Sequence, residues 1–201
     1  MEIKNKEEYK WEVFDDIDFS FKDMVGIRFK ECSFVNTSFE ESSFNNCEFN
    51  NCNFQAARLN SAFVKNCAFL NCNFRFTNAF CAKFEDCKMV GSSFVEANMI
   101  GATLLRGDWS YTNLSNHNFK NSNFSDMNLT NCDLVECNLE NTLFNRTRLI
   151  STNLSNAKLK GSDLREALVE GINLSELDLR GVKLDLNHCI MIAVSLGAIV
   201  E

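Results

Sequence analysis

The residues best equipped for chemistry in this chain are ten cysteines, two histidines and a surplus of carboxylates. Cysteine and histidine in close groups would hold zinc, and paired cysteines would form disulfides. Their spacing argues against both. Cys32, Cys47, Cys52, Cys67, Cys72 and Cys87 are separated alternately by 15 and 5 residues, and Cys132 and Cys137 by 5. No CxxC pair occurs, so the expectation is reduced, buried thiols that behave as small apolar side chains. His117 would serve as a ligand or an acid–base group only with a second such residue beside it. None stands at a matching position, which favours a buried, neutral, hydrogen-bonded histidine. GxSxG, P-loop, HExxH and GxGxxG patterns are all missing. We expect no enzyme, no metal and no cofactor.

What positions these residues is a period of five. From Phe14 to Leu184 every fifth residue is apolar: 35 consecutive sites, 15 of them Phe and 13 Leu. In a chain that is 45% hydrophobic, such a run has a chance probability of roughly 10⁻¹², so the pattern is a structural repeat. Two residues before each centre the side chain is usually small, and the eight regularly spaced cysteines occupy that slot. The residue just before the centre is often Asn, Asp or Ser. "NCNF", "CDLVE" and "GSDLR" are typical copies.

Five fits neither the 3.6 period of a helix nor the 2 of a strand. It suits a chain that turns a corner in every unit. Asn or Gly stands two residues after the centre in 16 of the 35 units, and those residues accept the positive φ that a type II turn needs. Four corners close a 20-residue coil, so 35 units give 8.75 coils. At an inter-strand spacing of about 4.8 Å they would stack into a rod of about 42 Å. Centres are mostly Phe up to Phe74 and mostly Leu after Leu129, which implies corners of two kinds.

These repeats resemble the pentapeptide-repeat family. The resemblance implies an all-β fold, a right-handed quadrilateral β-helix. We place an irregular N-terminal cap at residues 1–13, the β-helix at 14–185, and a C-terminal helix and tail at 186–201. Three sites depart from the pattern. Ala79 is undersized, with Phe76 and Phe80 beside it to fold over the gap. Trp109 is oversized, with Gly107 in the adjoining small slot as a volume compensation. The third is His117. After Leu184 the stretch from Leu186 to Gly197 predicts a short helix, with Asn187 as its N-cap and Gly197 as its stop.

The C-terminal segment is too apolar to be buried by one small helix. Leu186, Ile190, Val194, Leu196, Ile199 and Val200 are expected to form a homodimer interface, the other reading being a plain hydrophobic cap on the last coil. The N-terminal MEIKNKEEYKWEVF mixes charges and has no apolar run. The expected location is therefore cytoplasmic, with no membrane span. A net charge of −7 disfavours binding to nucleic acid or anionic membrane.

Sorting charges by face of the coil concentrates them. The face centred on residues 14, 34 and onward to 174 carries Glu12, Asp15, Asp16, Glu96, Asp133, Glu136 and Glu176 against Arg75 alone, and the other three faces each sum to zero. Phe-rich then Leu-rich coils, the apolar C-terminal helix and the Leu-Gly-x-Ile-Val ending look like the quinolone-resistance subgroup of the family. That resemblance implies a dimeric, DNA-mimicking rod that binds DNA gyrase or topoisomerase IV. Asp15, Asp16, Glu96, Asp133, Glu136 and Glu176 would be its partner-binding residues. Some members of the subgroup carry loops that interrupt the coils; this chain keeps phase throughout. The rival expectation is a scaffold or regulatory interaction protein with an unrelated partner, using the face where Leu70, Val90, Thr130 and Ile150 line up.

Overall fold

The computed structural model describes residues 3–200; Met1, Glu2 and Glu201, which belong to the predicted terminal segments, lie outside the described residues. The chain winds as a parallel β-solenoid in which residue i pairs with residue i+20, from Glu8↔Arg28 to Asp163↔Lys183. Strands β1 (Glu8–Lys10), β3 (Arg28–Lys30), β5 (Glu48–Asn50) and β7 (Ala68–Leu70) stack on one wall. Strands β2 (Asp23–Val25), β4 (Ser43–Asn45) and β6 (Phe63–Lys65) stack on the adjacent one. The longer β8 (Lys83–Lys88) joins both stacks, and β9 (Thr103–Asp108) pairs with β8. Beyond it the coils continue as single bridges at the same register.

A five-residue unit with a closed turn accounts for all of its backbone N–H groups. Around Phe54, the Asn53 N–H bonds back to the Cys32 carbonyl, and those of Phe54 and Ala56 bond forward to Asn73 and Arg75. Ala57 N–H closes a turn on the Phe54 carbonyl at 3.0 Å. Only the N–H of Gln55 is left, and the Asn53 side chain accepts it at 3.1 Å. This explains the Asn or Asp before the centre: it supplies the acceptor the coil cannot, in the manner of an Asx-turn. Asn73, Asn113, Asp133 and Asn153 repeat the contact.

Two residues after the centre, φ lies between +52° and +65° in residues as different as Asp16, Asn36, Phe76 and Glu166. The predicted left-handed corner is thus present far beyond the Asn and Gly positions that signalled it. Tertiary pairing on both sides overrides the ordinary cost of αL in other residues.

The core is a set of columns. Phe14, Phe34, Phe54, Phe74 and Phe94 are each fully buried and stack at centroid separations of 4.5–5.1 Å. Phe29, Phe49 and Phe69 form a second stack at 4.9 and 4.5 Å. Small inward residues lock one coil to the one before. Thr37, Thr77, Thr142, Thr147 and Thr152 each donate to the carbonyl of the centre 23 residues earlier at 2.7–2.9 Å.

The coil register begins earlier than residue 14. Tyr9, five residues before Phe14, sits in β1 and stacks on Phe29 at 5.3 Å. At the other end, Leu174–Glu176 forms a 3₁₀ turn, and the predicted helix is α1, Leu186–Ser195. Its N-cap is Asp185 rather than Asn187: the Asp185 carboxylate accepts the His188 N–H at 3.1 Å. Phe76 and Phe80 do not fold over Ala79; they are 48% and 44% exposed, because their positions in the turn point outward. Gly107 answers to its neighbouring backbone, not to Trp109. At φ +97°, a Cβ there would stand 2.2 Å from the Cys87 carbonyl oxygen.

Candidate interaction surface

With the core columns pointing in, everything available to a partner is an outer wall, a corner or an end. Among the described residues no group of three or more His, Cys, Asp or Glu is placed to hold a metal, and no helix is long and apolar enough to cross a membrane. The eight regularly spaced cysteines are buried and every cysteine is a free thiol, with only Cys81 and Cys189 exposed. Burial pushes the Cys87 and Cys137 thiols up to about 11. His117 is buried with Nε2 3.0 Å from the Phe94 carbonyl, standing where Thr stands in other coils. Burial lowers its pKa, as a neutral imidazole requires.

The acidic wall divides into residues with and without a cation. Arg75 binds Glu96 at 2.7 Å and neutralises it. Among the described residues Glu12, Asp15, Asp16, Asp133, Glu136 and Glu176 have no ion-pair partner. Three of these carboxylates do structural work as well: Asp15 accepts Ser33 Oγ at 2.5 Å and Val35 N–H at 2.8 Å, and Asp133 accepts Val135 N–H at 3.1 Å. Glu176 accepts the Asn173 amide at 2.8 Å. Asp16 and Glu136 are exposed corner residues. Glu12, Asp15 and Asp16 lie on the first coils; Asp133, Glu136 and Glu176 lie in the second half.

Elsewhere most carboxylates are paired. Glu40 meets Arg58, Glu140 meets Lys120, Asp163 meets Arg165 and Asp178 meets Arg180. One corner carries an alternating row spaced by 20 residues: Asp86, Arg106, Asp126, Arg146, Glu166. Arg106 grips Asp86 at 2.7 and 2.8 Å, Arg146 grips Asp126 at 2.7 and 2.9 Å, and Arg146 reaches Glu166 at 3.7 Å. Pairing face sums hid this row, because zero net charge on a face says nothing about which residues meet between coils. A search for opposite charges 20 residues apart would have found it.

The chain belongs to the pentapeptide-repeat family. The model of the pentapeptide repeat region matches residues 78–153, and that of pentapeptide repeats matches 14–60 and 153–191. No curated protein matches the sequence. Among solved structures, a trypsin-treated form of QnrB1, a plasmid-mediated fluoroquinolone resistance protein, superposes with a TM-score of 0.86 at 20% identity, covering 98% of this chain and 99% of that one. Full-length QnrB1 gives 0.79 at 19% identity, over 95% and 100%. HetL, involved in heterocyst differentiation regulation in the cyanobacterium Nostoc sp. strain PCC 7120, gives 0.53 at 15% identity, over 87% of each chain. At these identities the likeness establishes the shared fold.

Two apolar surfaces complete the exterior of this pentapeptide-repeat rod. At the C-terminal end Leu186, Val194, Leu196, Ile199 and Val200 are between 50% and 89% exposed, while Ile190 is half-buried. His188 anchors the helix beneath them, its Nε2 3.0 Å from the Ala167 carbonyl. Sequence reasoning passed over the second surface: Phe76, Phe80 and Ile100, the last 66% exposed, sit near the middle of the rod beside Glu96. Its signal was in the sequence, as large apolar residues at the outward positions of consecutive coils. Leu70, Val90, Thr130 and Ile150, in contrast, are half-buried along their wall.

Proposed function

We propose that this protein is a non-enzymatic, homodimeric rod that occupies the DNA-binding surface of DNA gyrase or topoisomerase IV. In that role it modulates the enzyme or protects it from quinolone-type inhibitors. The observation that carries the reading is the acidic wall: six carboxylates without cation partners on one side of a straight solenoid whose other walls are largely ion-paired. The likeness to a fluoroquinolone resistance protein along nearly the whole of both chains supports it. DNA of the rod's expected length, about 42 Å, carries about 25 phosphate charges, so six carboxylates give weak electrostatic mimicry. Affinity must then rest on rod shape and on local contacts. The exposed C-terminal residues Leu186, Val194, Leu196, Ile199 and Val200, with Ile190 beneath them, would join two copies end to end and double the acidic length.

The test is gyrase supercoiling with added protein, with and without a fluoroquinolone. Reversing charge at Asp133 and Glu136 together should weaken the effect several-fold; a double variant as active as the parent would overturn the acidic-wall reading. The second reading is a regulatory scaffold for another protein. It is favoured by the exposed Phe76, Phe80 and Ile100, which no DNA-like surface requires. Replacing those three with Ser should then abolish partner capture while leaving gyrase untouched.

A further inference from the structure

The core cysteines are not equivalent. Five of them, Cys32, Cys47, Cys52, Cys67 and Cys72, follow corners that bend without closing a turn, and Cys87 follows a corner spanned by β8. At such a bend the N–H of the small inward residue needs another acceptor. Cys47 N–H finds it in Cys67 Sγ at 3.3 Å, one coil on. Cys67 Sγ itself bonds to the Lys65 carbonyl at 3.2 Å, and Cys47 Sγ to the Met24 carbonyl at 3.4 Å. The two residues are held in register from both sides, by Asn45↔Lys65 and by Glu48↔Ala68. Neighbouring parallel strands lie about 4.8 Å apart, inside the usual Cα separation of a disulfide.

A shallow surface depression of about 300 Å³ lies over this pair, with Cys47 and Cys67 in its lining and Glu48, Asp86 and Lys88 among the residues around them. Cys52 and Cys72 form a chemically similar pair, but neither lines this depression. We propose that Cys47 and Cys67 are an oxidation site: a dithiol that a peroxide converts into a disulfide between adjacent coils. In the first step the Cys47 sulfur attacks one peroxide oxygen, the O–O bond breaks, and sulfenic acid and water form. In the second, the Cys67 sulfur attacks the Cys47 sulfur, hydroxide leaves and takes up the Cys67 proton as a second water. Two thiols and one hydrogen peroxide give one disulfide and two waters. The neighbouring Cys67 side chain lowers the Cys47 pKa to about 7, while Cys47 and burial raise Cys67, so Cys47 is the attacking partner. The bend, free of a closing hydrogen bond, lets the two Cβ atoms approach to the shorter distance a disulfide needs.

The test uses the unaltered protein. Timed exposure to hydrogen peroxide is followed by alkylation of the remaining thiols and non-reducing peptide mapping. A Cys47–Cys67 link should form about tenfold faster than a Cys52–Cys72 link. Equal rates for the two pairs overturn the proposal, as does a pair that stays reduced after Cys81 and Cys189 are fully oxidised. In Cys67→Ser the sulfenic acid on Cys47 has no thiol to attack it, so dimedone should trap it there. An unlabelled Cys47 in folded Cys67→Ser overturns the first step.

Discussion

The first half of the rod and the second solve the same corner in two ways. Up to about residue 75 each coil has two closed turns and two open bends, the bends at Trp11, Gly26, Glu31, Asn46, Asn51, Asn66 and Asn71. From Ser110 to Gly171 every corner is a closed turn. Open bends go with strands and, from Glu31 onward, with an inward Cys; closed turns go with mostly Phe centres in the first half and mostly Leu centres in the second, and mostly with inward Thr, Ser or Ala. A closed turn uses the inward residue's N–H on the preceding centre, so the inward side chain has only a carbonyl to bond. Thr and Ser do that with a hydroxyl. An open bend leaves that N–H without its turn partner, and at two of the bends the next coil offers an acceptor in the same slot. Cys67 does so for Cys47, and Ser92 ends the other column by accepting Cys72 N–H at 3.0 Å. At Cys67 the inward thiol is therefore a hydrogen-bond acceptor and not filler alone.

Truncating the core gives the largest contrast between the halves. Phe54 is stacked on Phe34 and on Phe74, each at 4.8 Å. Phe54→Ala should cost about 4 kcal/mol and Leu134→Ala about 3 kcal/mol, since the second forfeits a smaller volume and no ring stacking. Urea unfolding of the two variants measures the difference, and equal losses would mean that the aromatic columns add nothing beyond volume. Gly107 lies where the open-bend half ends. Gly107→Ala should cost about 3 kcal/mol, from strain at φ +97° and from forcing β9 away from the Cys87 carbonyl. Faster amide exchange confined to β8 and β9 would locate the damage.

Much of this was legible beforehand because a period of five constrains every level at once. The phase of the apolar residues named the core from Phe14 to Leu174 without error at the buried centres. The Phe-to-Leu change announced two kinds of corner, but not which corners open. That depends on whether an N–H is paired one coil away, a contact no five-residue window contains. Asn187 was a plausible cap by type, yet Asp185 lies two residues earlier with its carboxylate facing His188 N–H. Of the expected acidic residues, Glu96 alone is neutralised by an ion pair, since Arg75 on the preceding coil reaches it. A face-by-face charge sum counts both residues and cannot see that they meet.

Intermediate effects test the hydrogen-bond accounting. Cys67→Ala removes the acceptor for a buried backbone N–H and should cost about 2 kcal/mol. Thr147→Ala should cost about 1 kcal/mol, because the Phe124 carbonyl it abandons keeps the Met127 N–H at 3.2 Å. Chemical denaturation of both decides. A cheaper Cys67→Ala would mean that the sulfur acceptor contributes nothing to the open bend.

The smallest effect concerns acid and the surface of β8. Glu85 lies between Lys83 and Lys65, each 2.9 Å away, and these hydrogen-bonded ammonium groups hold its carboxyl at about 2. An unfolded chain leaves that carboxyl near its ordinary value of 4.5. Because the folded value is the lower one, the pairing stabilises the coil fully above about pH 4.5 and is lost as pH falls through about 2. The same sense holds for Asp126 beside Arg146 and Asp163 beside Arg165 in the closed-turn half. Replacing both Lys65 and Lys83 with Met should return the Glu85 titration, followed by carboxyl NMR, toward its ordinary range while Asp126 and Asp163 keep theirs. If Asp126 moved with Glu85, the corner row from Asp86 to Glu166 would be one coupled network spanning both halves. Independent titrations would mean that each coil settles its charges with its immediate neighbours, as the backbone does.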